Sequence, residues 1–153
     1  MRKTCRAFYL TIFSILTLAA SPVFALGTDQ AEVKAITGSA LYKRAASADW
    51  AELDIGAVLT EGDVVKTPQN SEVVMHLKGI RKTAEIIVRQ NSEFTFHRFQ
   101  HDPVSGVDET LLDLPLGSIL VKAEKLAGSS KFEVKTPTSI VGIRGTTFEV
   151  KAS

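Results

Sequence analysis

The chain is poor in the residues that build small stapled or metal-bound domains. It has one cysteine, Cys5, three histidines and one tryptophan in 153 residues. A single thiol excludes a disulfide framework and a cysteine-based zinc site. Charge of one sign is also lacking, with 18 Lys+Arg against 17 Asp+Glu and a charged fraction of 23%. That balance excludes a disordered polyelectrolyte tail. No apolar run reaches the roughly 20 residues that a membrane-spanning helix needs. No Ser/His/Asp arrangement, phosphate-cradling glycine loop or carboxylate pair stands out, so no catalytic residues are assigned.

What is present begins at the N-terminus. Arg2, Lys3 and Arg6 precede a mostly apolar stretch from Ala7 to Ala20, and Pro22 and Val23-Phe24-Ala25 follow. A basic start, a short apolar run and a small-x-small exit describe a secretory signal. Cleavage is expected after Ala25, making residues 1–25 the signal and 26–153 one domain; the alternative is an uncleaved anchor. Removing residues 1–25 takes Cys5 and three basic residues, leaving 15 basic against 17 acidic side chains. The remaining chain then has no net positive field to draw it to nucleic acid. No membrane insertion is expected after cleavage. The expected location is periplasmic or secreted.

Beyond residue 30 the dominant signal is alternation of apolar and polar residues, the period of a half-buried strand. It marks strands over 32–36, 40–43, 71–77, 84–89, 93–99, 118–123, 131–135 and 146–151. Ala45 to Asp49 is long enough for one helical turn only. His101-Asp102-Pro103-Val104-Ser105-Gly106 carries turn dipeptides between two strand patterns and is expected to tip a long hairpin. Lys125 to Ser130 reads as a second loop.

Two short patterns recur in order. Leu53-Asp54-Ile55-Gly56-Ala57-Val58-Leu59 returns as Leu114-Pro115-Leu116-Gly117-Ser118-Ile119-Leu120, and Val65-Lys66-Thr67-Pro68 returns as Val134-Lys135-Thr136-Pro137. Glycine before a β-branched strand permits a positive φ at a corner, and Thr-Pro ends a strand because proline cannot donate to the ladder. The expected fold is all-β and single-domain: an antiparallel sandwich or a short solenoid-like stack with a weak internal repeat.

Gly56 to Pro68 has the form Gly-x-x-Leu-x-x-Gly-Asp-x-Val-x-Thr-Pro. The chain closes on Phe132-Glu133-Val134-Lys135-Thr136-Pro137 and then Val141-Gly142-Ile143-Arg144-Gly145-Thr146-Thr147-Phe148-Glu149-Val150. These segments resemble the FecR-type domain of bacterial envelope proteins, over roughly Ala31 to Val150. The resemblance implies an all-β fold and a signature of Gly62, Asp63, Thr67, Pro68, Thr136, Pro137, Gly142, Arg144, Gly145 and Thr146. Regulators of this type relay a receptor's state to a sigma factor through a transmembrane helix. Here only six residues precede the apolar run, so the resemblance implies the domain rather than the relay, in a stand-alone exported form.

Among single residues, Arg144 is flanked by Ile143 and Gly145, and a guanidinium turned inward there needs a carboxylate. Asp63 is the expected partner in a structural clamp, with a ligand-anion site as the alternative. His76, His97 and His101 are expected to be surface residues rather than metal ligands, and no cofactor is expected. Phe94, Phe96, Phe99, Phe132 and Phe148 are expected in the core. Phe99 falls on the opposite strand face unless a bulge intervenes. Trp50 is expected to cap one end of the core.

The best candidate partner surface is Phe99, His101, Asp102 and Val104 on the hairpin together with Thr147 and Glu149 on the last strand. The expected function is a non-catalytic binding or assembly module contacting an envelope protein or ligand. A sensor-regulator signalling through a separate membrane protein is the second reading, and an enzyme acting on glycans or peptides the third. The intact mass of the exported protein is expected to match a chain starting at Leu26. A mass retaining the apolar run would show an anchor instead.

Overall fold

The computed structural model describes residues 30–78, 83–102, 104, 107–123, 129–143 and 147–153. The expected signal at residues 1–25, most of the loop at 125–130, and Arg144, Gly145 and Thr146 lie outside the described residues.

Twelve strands follow one another, and among the described residues there is no helix. They are β1 (Gln30–Thr37), β2 (Leu41–Lys43), β3 (Ala51–Glu52), β4 (Val58–Leu59), β5 (Val64–Thr67) and β6 (Glu72–Lys78). Then come β7 (Thr83–Val88), β8 (Ser92–Asp102), β9 (Val107–Ala123), β10 (Lys131–Lys135), β11 (Ile140–Ile143) and β12 (Thr147–Ala152). Alternation decides most of them. In β10, Phe132 and Val134 are buried while Lys131 and Lys135 are exposed. In β6, Val73, Met75 and Leu77 are buried and Val74 and His76 only half so. The residues Ala45 to Asp49 form turns and bends rather than a helical turn.

The all-β, single-domain expectation holds. The strands make one curled, largely antiparallel sheet shaped as a half-barrel, in the order β3-β2-β5-β8-β9-β7-β6-β1-β4. The 17-residue β9 joins the halves. Its first part lies between β8 and β10, and its second part between β7 and β12. The β9–β10 pair is parallel. β7 and β8 run consecutively along β9, so residues 83–102 and 107–123 form the long bent hairpin that the turn dipeptides at 101–106 announce.

Leu114-Pro115-Leu116-Gly117 was expected as a corner before a strand, yet it lies inside β9. Two features let a continuous strand accept it. The β8–β9 register shifts between Glu93 and Thr95, where Leu114 and Pro115 of β9 face Phe94 alone, a bulge that accommodates the proline's missing N–H. Gly117 takes a φ of +96°. A Cβ there would sit 2.1 Å from Ser92 Oγ and 2.4 Å from Ser92 Cα. The bend is held by a polar seam. The Ser118 N–H donates to Ser92 Oγ (2.9 Å), and the Ser92 N–H donates to Thr67 Oγ1 (3.2 Å). Thr67 and Ser92 are both buried, so these bonds satisfy groups that water cannot reach.

The concave side holds the core. Phe94, Phe96, Met75, Ile86, Leu112, Leu114 and Ile119 are fully buried. Phe99 joins them, because a second register shift between Phe96 and Arg98 turns it back to the core face. Its ring centroid lies 5.0 Å from that of Phe96, which in turn meets Phe94 edge-on at 4.7 Å. Phe132 is buried, and Phe148 is half-buried against the same core.

The repeat recurs as corner chemistry. Gly56, like Gly117, has a positive φ. Thr136, like Thr67, is buried, and its Oγ1 accepts the Ser139 N–H at 3.1 Å. The pairing around the copies differs: β5 is antiparallel to β8, whereas β10 is parallel to β9. Gly117→Ala is expected to destabilise the fold by more than about 2 kcal/mol, from strain at φ and collision with Ser92 backbone. Gly142→Ala, where an added Cβ meets nothing within 4 Å, is expected to change stability by less than about 0.5 kcal/mol. Chemical denaturation of both variants checks the contrast.

Candidate functional site

The signature residues divide between a structural knot and an exposed margin. The knot is the turn Glu61-Gly62-Asp63 before β5. Asp63 is 1% exposed, and its carboxylate is fully engaged. It accepts hydrogen bonds from the Thr60 N–H (2.9 Å), the Ala45 N–H (3.2 Å) and Arg44 Nη1 (2.6 Å). Arg44 also donates to the Val58 carbonyl at 2.9 Å and stacks over Tyr42 at 4.9 Å. The cation beside Asp63 is therefore Arg44, 19 residues earlier in sequence. The expected partner, Arg144, lies outside the described residues.

The same turn grips β8. The Gly62 N–H donates to the Phe96 carbonyl (2.7 Å), and the Phe96 N–H donates to the Asp63 carbonyl (3.2 Å). The Phe99 N–H, just beyond the bulge, donates to Glu61 Oε2 at 3.1 Å. A bulge leaves backbone groups without ladder partners, and Glu61 supplies one. Gly62 is required by its φ of +87° and by the approach of Ala45, whose Cβ would lie 2.6 Å from an added Cβ. The Gly-Asp motif thus fixes the bulge that sends Phe99 inward.

The Thr-Pro pairs end strands. Thr67 and Thr136 are buried, while Pro68 and Pro137 are exposed where each chain leaves the sheet. Gly142 sits exposed on β11.

The proposed partner surface does not form one patch. Phe99 is 3% exposed and belongs to the core, because the bulge reverses the side-chain alternation. His101 and Asp102 end β8, paired with Asp108 and Val107, and Val104 beyond them is 94% exposed. Thr147 and Glu149 are exposed on β12, which pairs with Lys122 to Gly117 at the other end of β9. The hairpin tip and β12 are separated by ten residues of β9, up to about 30 Å of extended chain.

The margin beside β12 is more informative. Among the described residues four strands have one neighbour only: β3, β4, β11 and β12. β3 and β4 are two residues long, β11 four and β12 six. A shallow groove along β12 is lined by Arg89, Asn91, Ser118, Glu149 and Lys151. On β11, Ile140 is 63% exposed and Val141 lies at its margin.

The outer face leading to β12 carries a cross-strand row of Glu32, His76, Glu85, Lys122 and Thr147. Lys122 Nζ lies 2.6 Å from Glu85 Oε1, and His76 Nε2 lies 3.4 Å from Oε2. The Lys122 hydrogen bond is the main reason the Glu85 carboxyl titrates below its ordinary 4.5, with burial opposing and His76 adding to the effect. His76 on β6 and His97 on β8 are separated in the sheet order by β7 and β9. Among the described residues no three His, Cys, Asp or Glu side chains gather as a metal site.

Sequence reasoning missed Arg44 and misplaced Trp50. Arg44 gave no signal, since its partner lies across a loop. Trp50 is 39% exposed rather than capping the core, with Lys43 Nζ 5.2 Å and Lys66 Nζ 5.8 Å from its ring centre.

Asp63→Asn is expected to cost about 2–3 kcal/mol, because an amide nitrogen would face donors on every side. Arg44→Gln is expected to cost about 1 kcal/mol or less, since Arg44 is 44% exposed and Asp63 keeps its backbone donors. Denaturant midpoints of the two variants check the order. Glu85 should stabilise the fold above about pH 4.5 and lose that contribution as pH falls through its lower folded value. Lys122→Met should bring the Glu85 midpoint back up in a side-chain NMR titration.

The comparisons with known proteins bear on this geometry. The family model described as FecR protein matches residues 58–153, more than half of the chain, including the Gly62-Asp63 knot, both Thr-Pro corners and the β11–β12 margin. No curated protein and no solved structure matches the chain. The chain belongs to the FecR family.

Proposed function

We propose that this FecR domain is a non-catalytic binding module of the bacterial envelope, exported by its leading segment, which takes up an extended segment of a partner protein along β12. The observation that carries the reading is the asymmetry of the sheet margins. β3 and β4 are too short to template a partner, whereas among the described residues β12 offers six residues with a neighbour on one side only. An unpaired margin of that length presents backbone donors and acceptors for strand addition. The adjoining groove, with Arg89 and Lys151 beside Glu149, gives side-chain specificity to a segment of mixed charge.

Family membership favours a second reading within the same frame. The bound segment would belong to a receptor or signalling protein, and the domain would act as the sensor component of a regulatory pair. Both readings use the same surface and differ in the partner's identity.

In an antiparallel pair, successive residues direct their N–H groups alternately toward the neighbour and away from it. Of Lys151→Pro and Ala152→Pro, one therefore removes a bond to β9 and the other removes an outward donor. The outward proline is expected to leave the melting temperature nearly unchanged and to abolish capture of the envelope partner in affinity pull-downs. A stability-neutral proline that captures everything the parent does would contradict the reading.

A further inference from the structure

A second surface lies at the β3 end of the sheet, with Trp50 and Lys43 outside residues 58–153 that match the family, and it is independent of the β12 reading. Trp50 immediately precedes β3 and stands beside β2 with 39% of its surface open. Lys43 on β2 and Lys66 on β5 hold their ammonium groups 5.2 and 5.8 Å from the indole centre. Among the described residues Lys43 has no carboxylate within 4 Å, and Lys66 has one, Glu93, at 3.7 Å with both side chains solvated. Glu52 and Leu41 pair directly on the same face, and Leu41 is 40% exposed.

We propose that Trp50, Lys43 and Lys66 form a binding site for an acidic saccharide, a sugar ring bearing a carboxylate or phosphate. An exposed indole offers a flat apolar surface for the C–H face of a pyranose. The ammonium groups at its border are compact charges on flexible stems, able to leave the ring and follow an anion. One platform with two point charges matches one ring and one anionic group. Single-stranded nucleic acid instead asks for successive stacking platforms along a basic groove, and this face provides a single indole interrupted by Glu52 and Glu93.

The chain has one tryptophan, so its emission reports on this site alone. The full exported protein is titrated with trigalacturonic acid and with mannose 6-phosphate, with maltotriose, oligo-dT and a poly-glutamate peptide in parallel, by fluorescence and calorimetry. A saturable change with either acidic sugar supports the site, and which of the two binds identifies the anion. Trp50→Phe and the double variant Lys43→Gln/Lys66→Gln are each expected to weaken calorimetric affinity about tenfold or more while melting as the parent does. Binding should weaken with added salt for the parent and not for the double variant. The proposal is overturned if neither acidic sugar binds, if maltotriose binds equally well, if oligo-dT or poly-glutamate binds more tightly, or if the variants bind like the parent.

Discussion

The constraint on which the rest of the structure depends is the bend of β9 against Ser92. One strand serves two half-sheets because Gly117 places its backbone where any side chain would collide with Ser92. The contact is hydrogen-bonded: the Ser92 N–H to Thr67, the Ser118 N–H to Ser92, and the Arg89 N–H to the Ser118 carbonyl at 2.9 Å. Leaving such groups unpaired in the interior costs on the order of 1–3 kcal/mol each. The seam therefore favours the bent strand over a straight one, and the bend places β8 and β10 on one part of β9, β7 and β12 on the other.

A second fixed point, the Glu61-Asp63 turn, governs β8 in the same manner. Its backbone and the Glu61 carboxylate bond the main-chain groups of Phe96 and Phe99 on either side of the β8 bulge. The bulge then adds Phe99 to the Phe94–Phe96 cluster. Burying one more aromatic side chain contributes about 1.5–3 kcal/mol. The family's Gly-Asp and Thr-Pro motifs thus act as scaffold, and they leave the margins of the sheet available for recognition.

Much of this was legible in the residues. Alternation located β10 to the residue and most of the other long strands to within a few, because one face of each is buried and register is then strongly specified. Gly56 and Gly117 were legible as positive-φ positions. The bulges were not. Pro115 and Gly117 punctuate β9 so strongly that alternation marks only its last part, 118–123, and Phe99 breaks a period-two pattern that only the pairing with β9 repairs. The Asp63 partner was hidden for a different reason. Arg44 and Arg144 are equally cationic in sequence, and only the path of the loop after β2 brings Arg44 to the carboxylate. The margin at β12 was legible as a strand near the terminus, but its length relative to β3 and β4 is a property of the assembled sheet.

The most direct test of the account is native-state hydrogen exchange along β9. A strand shared by both half-sheets should open as one cooperative unit, so buried amides from Leu112 to Val121 should exchange with a common, near-global opening free energy. Two distinct opening energies, one for Leu112 and Leu114 and another for Ile119 and Val121, would show that the halves are independent and that the bend at Gly117 does not join them.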